Sequence, residues 1–122
     1  MYEIQMDREA GVISATLSGM MTEDEVALYI ADLKKAFVAH HLHSYAMVID
    51  VTACLIQQQD TIQAMGAHMA TMPKARSLAI VTGSSLARMQ IRRLFKQPYA
   101  RIVATIEEGR AWVYSGIEPT IH

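Results

Sequence analysis

Two short apolar runs, Tyr45-Ala-Met-Val-Ile-Asp-Val51 and Ser77-Leu-Ala-Ile-Val-Thr82, constrain the fold of this chain more than any other feature. A strand that reads apolar at nearly every position is covered on both faces, as in a sheet enclosed by helices. The segments around these runs repeat at helical spacing. Val26, Tyr29, Ile30, Leu33 and Phe37 mark one helical face, behind the capping box Thr22-Glu-Asp-Glu25 and ahead of an end near His40. Ile62, Met65, Met69 and Met72 repeat in the same way before Pro73 closes that helix. Gly83-Ser84-Ser85 turns into a helix predicted to reach Lys96, with Leu86, Ile91, Leu94 and Phe95 as its apolar side. A last strand is predicted over residues 100–105, and a second capping box, Thr105-Ile-Glu-Glu108, opens a short helix carrying Ala111, Trp112 and Val113.

The N-terminal segment has a different period. Residues 2–8 alternate Tyr, Ile and Met against Glu, Gln and Asp, and residues 12–18 alternate again after the turn Glu9-Ala10-Gly11. So short a connection forces an antiparallel hairpin, because a parallel return needs a crossover of a dozen or more residues. The full order is β-β-α-β-α-β-α-β-α. That pattern predicts an α/β fold: a single-domain mixed, largely parallel sheet flanked by helices, with right-handed crossovers. The 122 residues suit one domain, taken as 1–116, with 117–122 expected as a loose C-terminal tail.

Charge is divided along the chain. Glu3, Asp7, Glu9, Glu23, Asp24, Glu25 and Asp32 dominate the first third, whereas Lys74, Arg76, Arg88, Arg92, Arg93, Lys96 and Arg101 fall in a stretch free of acids between Asp60 and Glu107. The formal net charge of −1 hides this polarity, which suits steering or head-to-tail pairing with a second copy. The lone Cys54 has no cysteine partner for a disulfide or a zinc site. The charged start lacks the apolar stretch of a signal peptide, and no run approaches the roughly 18 apolar residues of a membrane span. The expectation is a cytoplasmic protein without membrane insertion. Nine methionines are read first as core filler and second as an adaptable apolar surface.

Four stretches carry a family resemblance: Gly11-Val-Ile-Ser-Ala-Thr-Leu-Ser-Gly19 before a helix, Met47-Val-Ile-Asp50 at a strand end, Ser77-Leu-Ala-Ile-Val, and Arg101-Ile-Val-Ala-Thr-Ile-Glu-Glu-Gly-Arg-Ala-Trp112. Together they resemble the SpoIIAA-like branch of the STAS superfamily, grouped also with CRAL-TRIO-type lipid-binding folds. The resemblance implies a mixed sheet flanked by helices and a non-enzymatic role in regulation or ligand binding. In that family an Asp-Ser-Ser-Gly motif after the Asp-ending strand carries a phosphorylated serine. Here Asp50 is followed by Val-Thr-Ala-Cys-Leu-Ile-Gln-Gln-Gln-Asp-Thr61, which leaves Thr61 as the nearest hydroxyl at a helix start. A phosphate there suits the helix dipole, and an unmodified Thr61 serves as a cap.

The remaining candidates divide by chemistry. His40 and His41 point about 100° apart on a helix end and cannot easily share an ion, so no metal site is assigned to them or to His43. His68 is read as a surface or boundary residue. Asp50, at a strand end, is a ligand-binding candidate and the one acid or base candidate; it lacks a recognisable partner, so no catalytic residue, enzyme activity or cofactor is assigned. Ser84 and Ser85 open a helix where an anion can sit beside Arg88, or where Ser84 simply caps. Arg88, Arg92 and Lys96 share one helical face, with Arg93 adjacent, and an acidic protein partner suits them best. A pI near 6.5 and no aromatic platform argue against nucleic acid. The expected function is a non-catalytic regulatory or interaction module binding a protein partner or small apolar ligand, self-associating as a homodimer. The alternative is a carrier or sensor of a lipid-like molecule, with Leu55, Met65, Met69 and Met72 lining a pocket under the 61–72 helix.

Overall fold

Gly11, at a φ of 67°, turns the chain between β1 (Tyr2–Asp7) and β2 (Val12–Gly19), where a side chain is strained. The computed structural model describes residues 1–39, 44–54, 63–64, 66–68 and 72–119. The hairpin is followed by α1 (Glu23–Ala39), β3 (Ala46–Cys54), β4 (Ser77–Val81), α2 (Ser85–Leu94), β5 (Ala100–Val103) and α3 (Ile106–Ser115). Residues 63–64 and 66–68 are helical as well, inside the segment predicted as a helix. The sheet runs β1-β2-β3-β4-β5, antiparallel in the first pair and parallel in the other three. This is the mixed, largely parallel α/β sheet expected from the sequence.

Each parallel connection moves one strand in the same direction, so right-handed crossovers place the connecting helices on one face. The packing agrees. Val26, Tyr29 and Leu33 of α1 bury against Ile13, Leu17, Met47, Ile49 and Leu78, and Phe95 at the end of α2 joins the same cluster. The opposite face holds Val12, Ala46, Val48, Ala79, Val81 and Val103, covered by Val113, Ile106 and Trp112 of α3. That cover reaches only part of the sheet: Glu3, Gln5 and Thr16 on β1 and β2 remain exposed. The double coverage inferred for β3 and β4 is therefore specific to the middle strands.

Gly109 explains how closely α3 sits. A Cβ there meets Val48 Cγ2 and Val81 Cγ2 at 3.2 Å each and Ala79 Cβ at 3.5 Å. Thr105 caps α3, its hydroxyl accepting the Glu108 amide at 3.2 Å, and Gly116 ends it in the left-handed region with its amide donating to Trp112 O at 3.0 Å. Thr105→Ala should cost about 1 kcal/mol, read as a fall of a few degrees in the thermal midpoint. An unchanged midpoint contradicts the cap's contribution.

Several boundaries differ from the sequence reading. Strand β3 continues past Val51 to Cys54, so Asp50 lies inside it, level with Val81 at the end of β4. Helix α2 stops at Leu94 rather than Lys96. Thr22 accepts the Glu25 amide at 3.1 Å, but the Glu25 carboxylate lies 2.6 Å from the Met1 amino group instead of reaching back to Thr22. Glu118, expected in a loose tail, is held by Arg101 through bonds of 2.8 and 2.7 Å. Arg101 also donates to the Pro98 and Ala100 carbonyls and stacks 4.5 Å from the Trp112 ring. A planar guanidinium is suited to that bidentate and stacked position.

His68 is the clearest correction among single residues. Read as a surface or boundary position, it is 7% exposed. Burial first, and then the Lys34 ammonium, hold its pKa below the usual imidazole value. A base depressed on folding stabilises fully above its unfolded pKa of about 6.5, and loses that contribution as pH falls toward the folded value. The thermal midpoint should therefore drop as pH falls below about 6.5, and His68→Gln should flatten the drop. An equally steep profile in the variant removes His68 as its source.

Candidate functional site

Helix α2 begins cleanly and then makes little use of the core. Ser84 accepts the Ala87 amide at 3.2 Å, and the Thr82 hydroxyl accepts the Ser84 amide at 3.3 Å. Phe95 closes the helix, its amide donating to Ile91 O at 2.9 Å. None of the described side chains of α2 is buried, and Leu86 and Met89 are 48% and 58% exposed. The sequence reading placed Leu86 on the inward side. The reason it fails is position: α2 packs beside β5, where the sheet ends, and Phe95 is its described anchor in the core.

The basic stretch separates into two groups. Arg101 is neutralised by Glu118, Arg76 donates to the carbonyls of Ala10 and Gly11 at 2.9 and 3.3 Å, and Lys74 lies 5.9 Å from the Tyr99 ring centroid. Arg88, Arg92, Arg93 and Lys96 form no ion pair among the described residues. Arg92, Arg93 and Lys96 are exposed and Arg88 is half-buried. The surface is thus a row of cations interleaved with two exposed apolar side chains.

The acidic residues lie at the other edge. Strand β1 is one border of the sheet and β5 the other, four strand spacings or about 19 Å apart. Helix α1, with exposed Glu23 and Asp24 in its first turn, packs beside β1. Leu28 on α1 is 59% exposed. The polarity of the sequence is therefore a polarity of the molecule, with acid beside β1 and base beside β5. The macrodipole of α1 adds to the stabilisation of its N-terminal acids.

The other sequence candidates gather less. Asp50 accepts the Thr52 amide at 2.9 Å and stays half-buried within β3. Ser85 is exposed as the first residue of α2. Met72 is half-buried against the α1-side core, while Leu55, Thr61, Met65, Met69, His40, His41 and His43 lie outside the described residues. Burial raises the Cys54 thiol pKa, which disfavours the reactive thiolate. Among the described residues no cluster of three or more His, Cys, Asp and Glu side chains is placed to hold a metal ion. No described helix is long and apolar enough to cross a membrane. Met21 and Met47 fill the core, as the first reading of the methionines expects, whereas Met20 and Met89 are exposed.

This sheet order, with helices on both faces and α3 closing the second, is a SpoIIAA-like fold. Two of the solved structures it resembles are anti-sigma factor antagonists. An anti-sigma factor antagonist from Mycobacterium paratuberculosis superposes with a TM-score of 0.68 at 15% identity, covering 93% of this chain and 94% of that one. The unphosphorylated anti-sigma factor antagonist SpoIIAA gives a TM-score of 0.65 at 14% identity, covering 94% and 99%. An uncharacterised protein of the DUF3478 family from Shewanella loihica, described as having a SpoIIAA-like fold, gives 0.68 at 12%, covering 93% and 92%. No family model and no curated protein matches the sequence.

Proposed function

We propose that this protein is a non-catalytic interaction module that docks an acidic protein surface onto α2. One observation carries the reading: Arg88, Arg92 and Arg93 share α2 with exposed Leu86 and Met89, Lys96 follows just past its end, and none of the four cations forms an ion pair among the described residues. Charges of one sign steer encounter and select the partner, and desolvated apolar side chains at the centre supply holding energy. The names of two structural neighbours, anti-sigma factor antagonists, support a regulatory role through another protein by analogy of fold. A second copy is one such partner, because its exposed Glu23, Asp24 and Leu28 offer the complementary charge and an apolar contact. The lipid-carrier alternative rests on Leu55, Met65 and Met69, which lie outside the described residues.

Site-specific photo-crosslinking tests the surface. A crosslinker replacing Met89 should trap one protein in cells of the source organism, with a yield that falls as salt is raised. A crosslinker replacing Gln5, on the exposed polar side of β1, should not trap it. Equal yields from both positions, or yields indifferent to salt, contradict the reading.

A further inference from the structure

We infer that a cleft at the opposite end of the sheet from the start of α2 binds a small monocarboxylate with an aromatic or apolar body. The cleft has a volume of about 500 Å³ and lies between the β1–β2 turn, the start of β4 and the end of α3. Its size falls within the usual range for small-molecule sites. Ala10, Val12 and Val113 supply the apolar lining, and Arg76, Trp112 and Tyr114 supply the groups that orient a ligand.

Each of those three side chains is already tethered. Arg76 Nη2 donates to the carbonyls of Ala10 and Gly11. Trp112 Nε1 donates to Tyr99 O at 3.2 Å, and its ring carries Arg101 at 4.5 Å. Tyr114 donates its hydroxyl to Asp7 at 2.9 Å, and Asp7 also accepts the Ala10 amide at 3.1 Å. A ligand therefore enters a site whose side chains have already lost much of their freedom, which lowers the ordering cost of binding. Nothing among the described residues engages the Nε and Nη1 donors of Arg76; they lie on different edges of the guanidinium, so a carboxylate can accept one charge-assisted hydrogen bond from either of them.

The ligand class follows from charge and lining. Arg76 is the cation of the cleft, with Arg110 close enough to act on Tyr114 and Asp7 as the neighbouring acid. One guanidinium above valines compensates a monoanion with an apolar body better than a phosphate dianion. The aromatic walls favour a flat ring beside the carboxylate. This inference stands apart from docking at α2 and does not depend on it.

Trp112 is the single tryptophan of the chain, so its fluorescence reports on the cleft directly. Phenylacetate and 3-phenylpropionate should change its emission saturably, with phenylacetamide at least about tenfold weaker because it lacks the charge. Arg76→Gln should weaken phenylacetate by about tenfold or more. Tyr114→Ala, which removes an exposed side chain and leaves the core intact, should weaken it several-fold as a second, independent variant. Circular dichroism checks that both variants fold. If Arg76→Gln does not fold, Tyr114→Ala and the acid-against-amide comparison in the unaltered protein decide the matter. The inference is overturned by equal responses to acid and amide, by no saturable response to either acid, by inorganic phosphate binding as well as phenylacetate, or by folded variants that bind as the wild type does.

Discussion

Gly109→Leu should lower stability by about 3 kcal/mol, a fall of roughly 10 °C in the thermal midpoint, while Gly109→Ala should stay close to wild type. The difference comes from opposing effects of known size. Replacing glycine inside a helix gains about 1 kcal/mol in propensity. A single Cβ at Gly109 meets two valine methyls at 3.2 Å, so the neighbours must give by a few tenths of an ångström. That accommodation offsets the propensity gain for alanine. Leucine adds three further carbons against Val48, Val81 and Ala79, which lie in the sheet core and have no solvent to move into. Either α3 lifts off the sheet or the strands shift, and both lose burial at Val113 and Val103. Chemical denaturation of the two variants side by side measures the effect. A leucine variant as stable as the alanine one contradicts the close approach of α3.

That approach is a feature the sequence reading did not contain. Trp112 and Val113 were placed on a helix, and the Thr105 box located its start, but nothing in the spacing said that Gly109 would face the sheet. A glycine in a helical pattern reads as a weak position unless the facing elements are known. The strands were legible for the opposite reason. Apolar runs at Tyr45 and Ser77 and the alternation of residues 2–8 are local signals, and they fix the strand type and the antiparallel first pair. The linear strand order is a tertiary property and followed only from the packing.

The charged helix divides in the same way. Arg88, Arg92 and Arg93 are legible as a cluster from their spacing, whereas Lys96, expected on the same helical face, lies past the end of the helix. Exposure of Leu86 is not legible, because an apolar residue in an amphipathic pattern is normally assigned to the core face. Only the location of α2 at the β5 edge leaves it uncovered. His68 misleads for a related reason: an isolated polar residue signals surface until its burial in the tertiary structure is known.

Reversing charge at Arg92 and Arg93 should reduce partner binding at least about tenfold without disturbing the fold. Both side chains are exposed and neither forms an ion pair among the described residues, so their removal leaves no internal partner stranded. Single exposed ion pairs are worth about 0.2–1 kcal/mol. Two reversals exceed that range, because each attraction is replaced by repulsion between like charges at the contact. Lys34 and Lys35 of α1, also exposed, allow a control with the same change in net charge.

The most direct measurement is quantitative affinity capture from cells of the source organism with three baits: wild type, Arg92→Glu/Arg93→Glu and Lys34→Glu/Lys35→Glu. The account predicts a partner held by the wild-type and Lys34/Lys35 baits and depleted at least about tenfold on the Arg92/Arg93 bait. A partner retained equally by all three baits would contradict docking at α2.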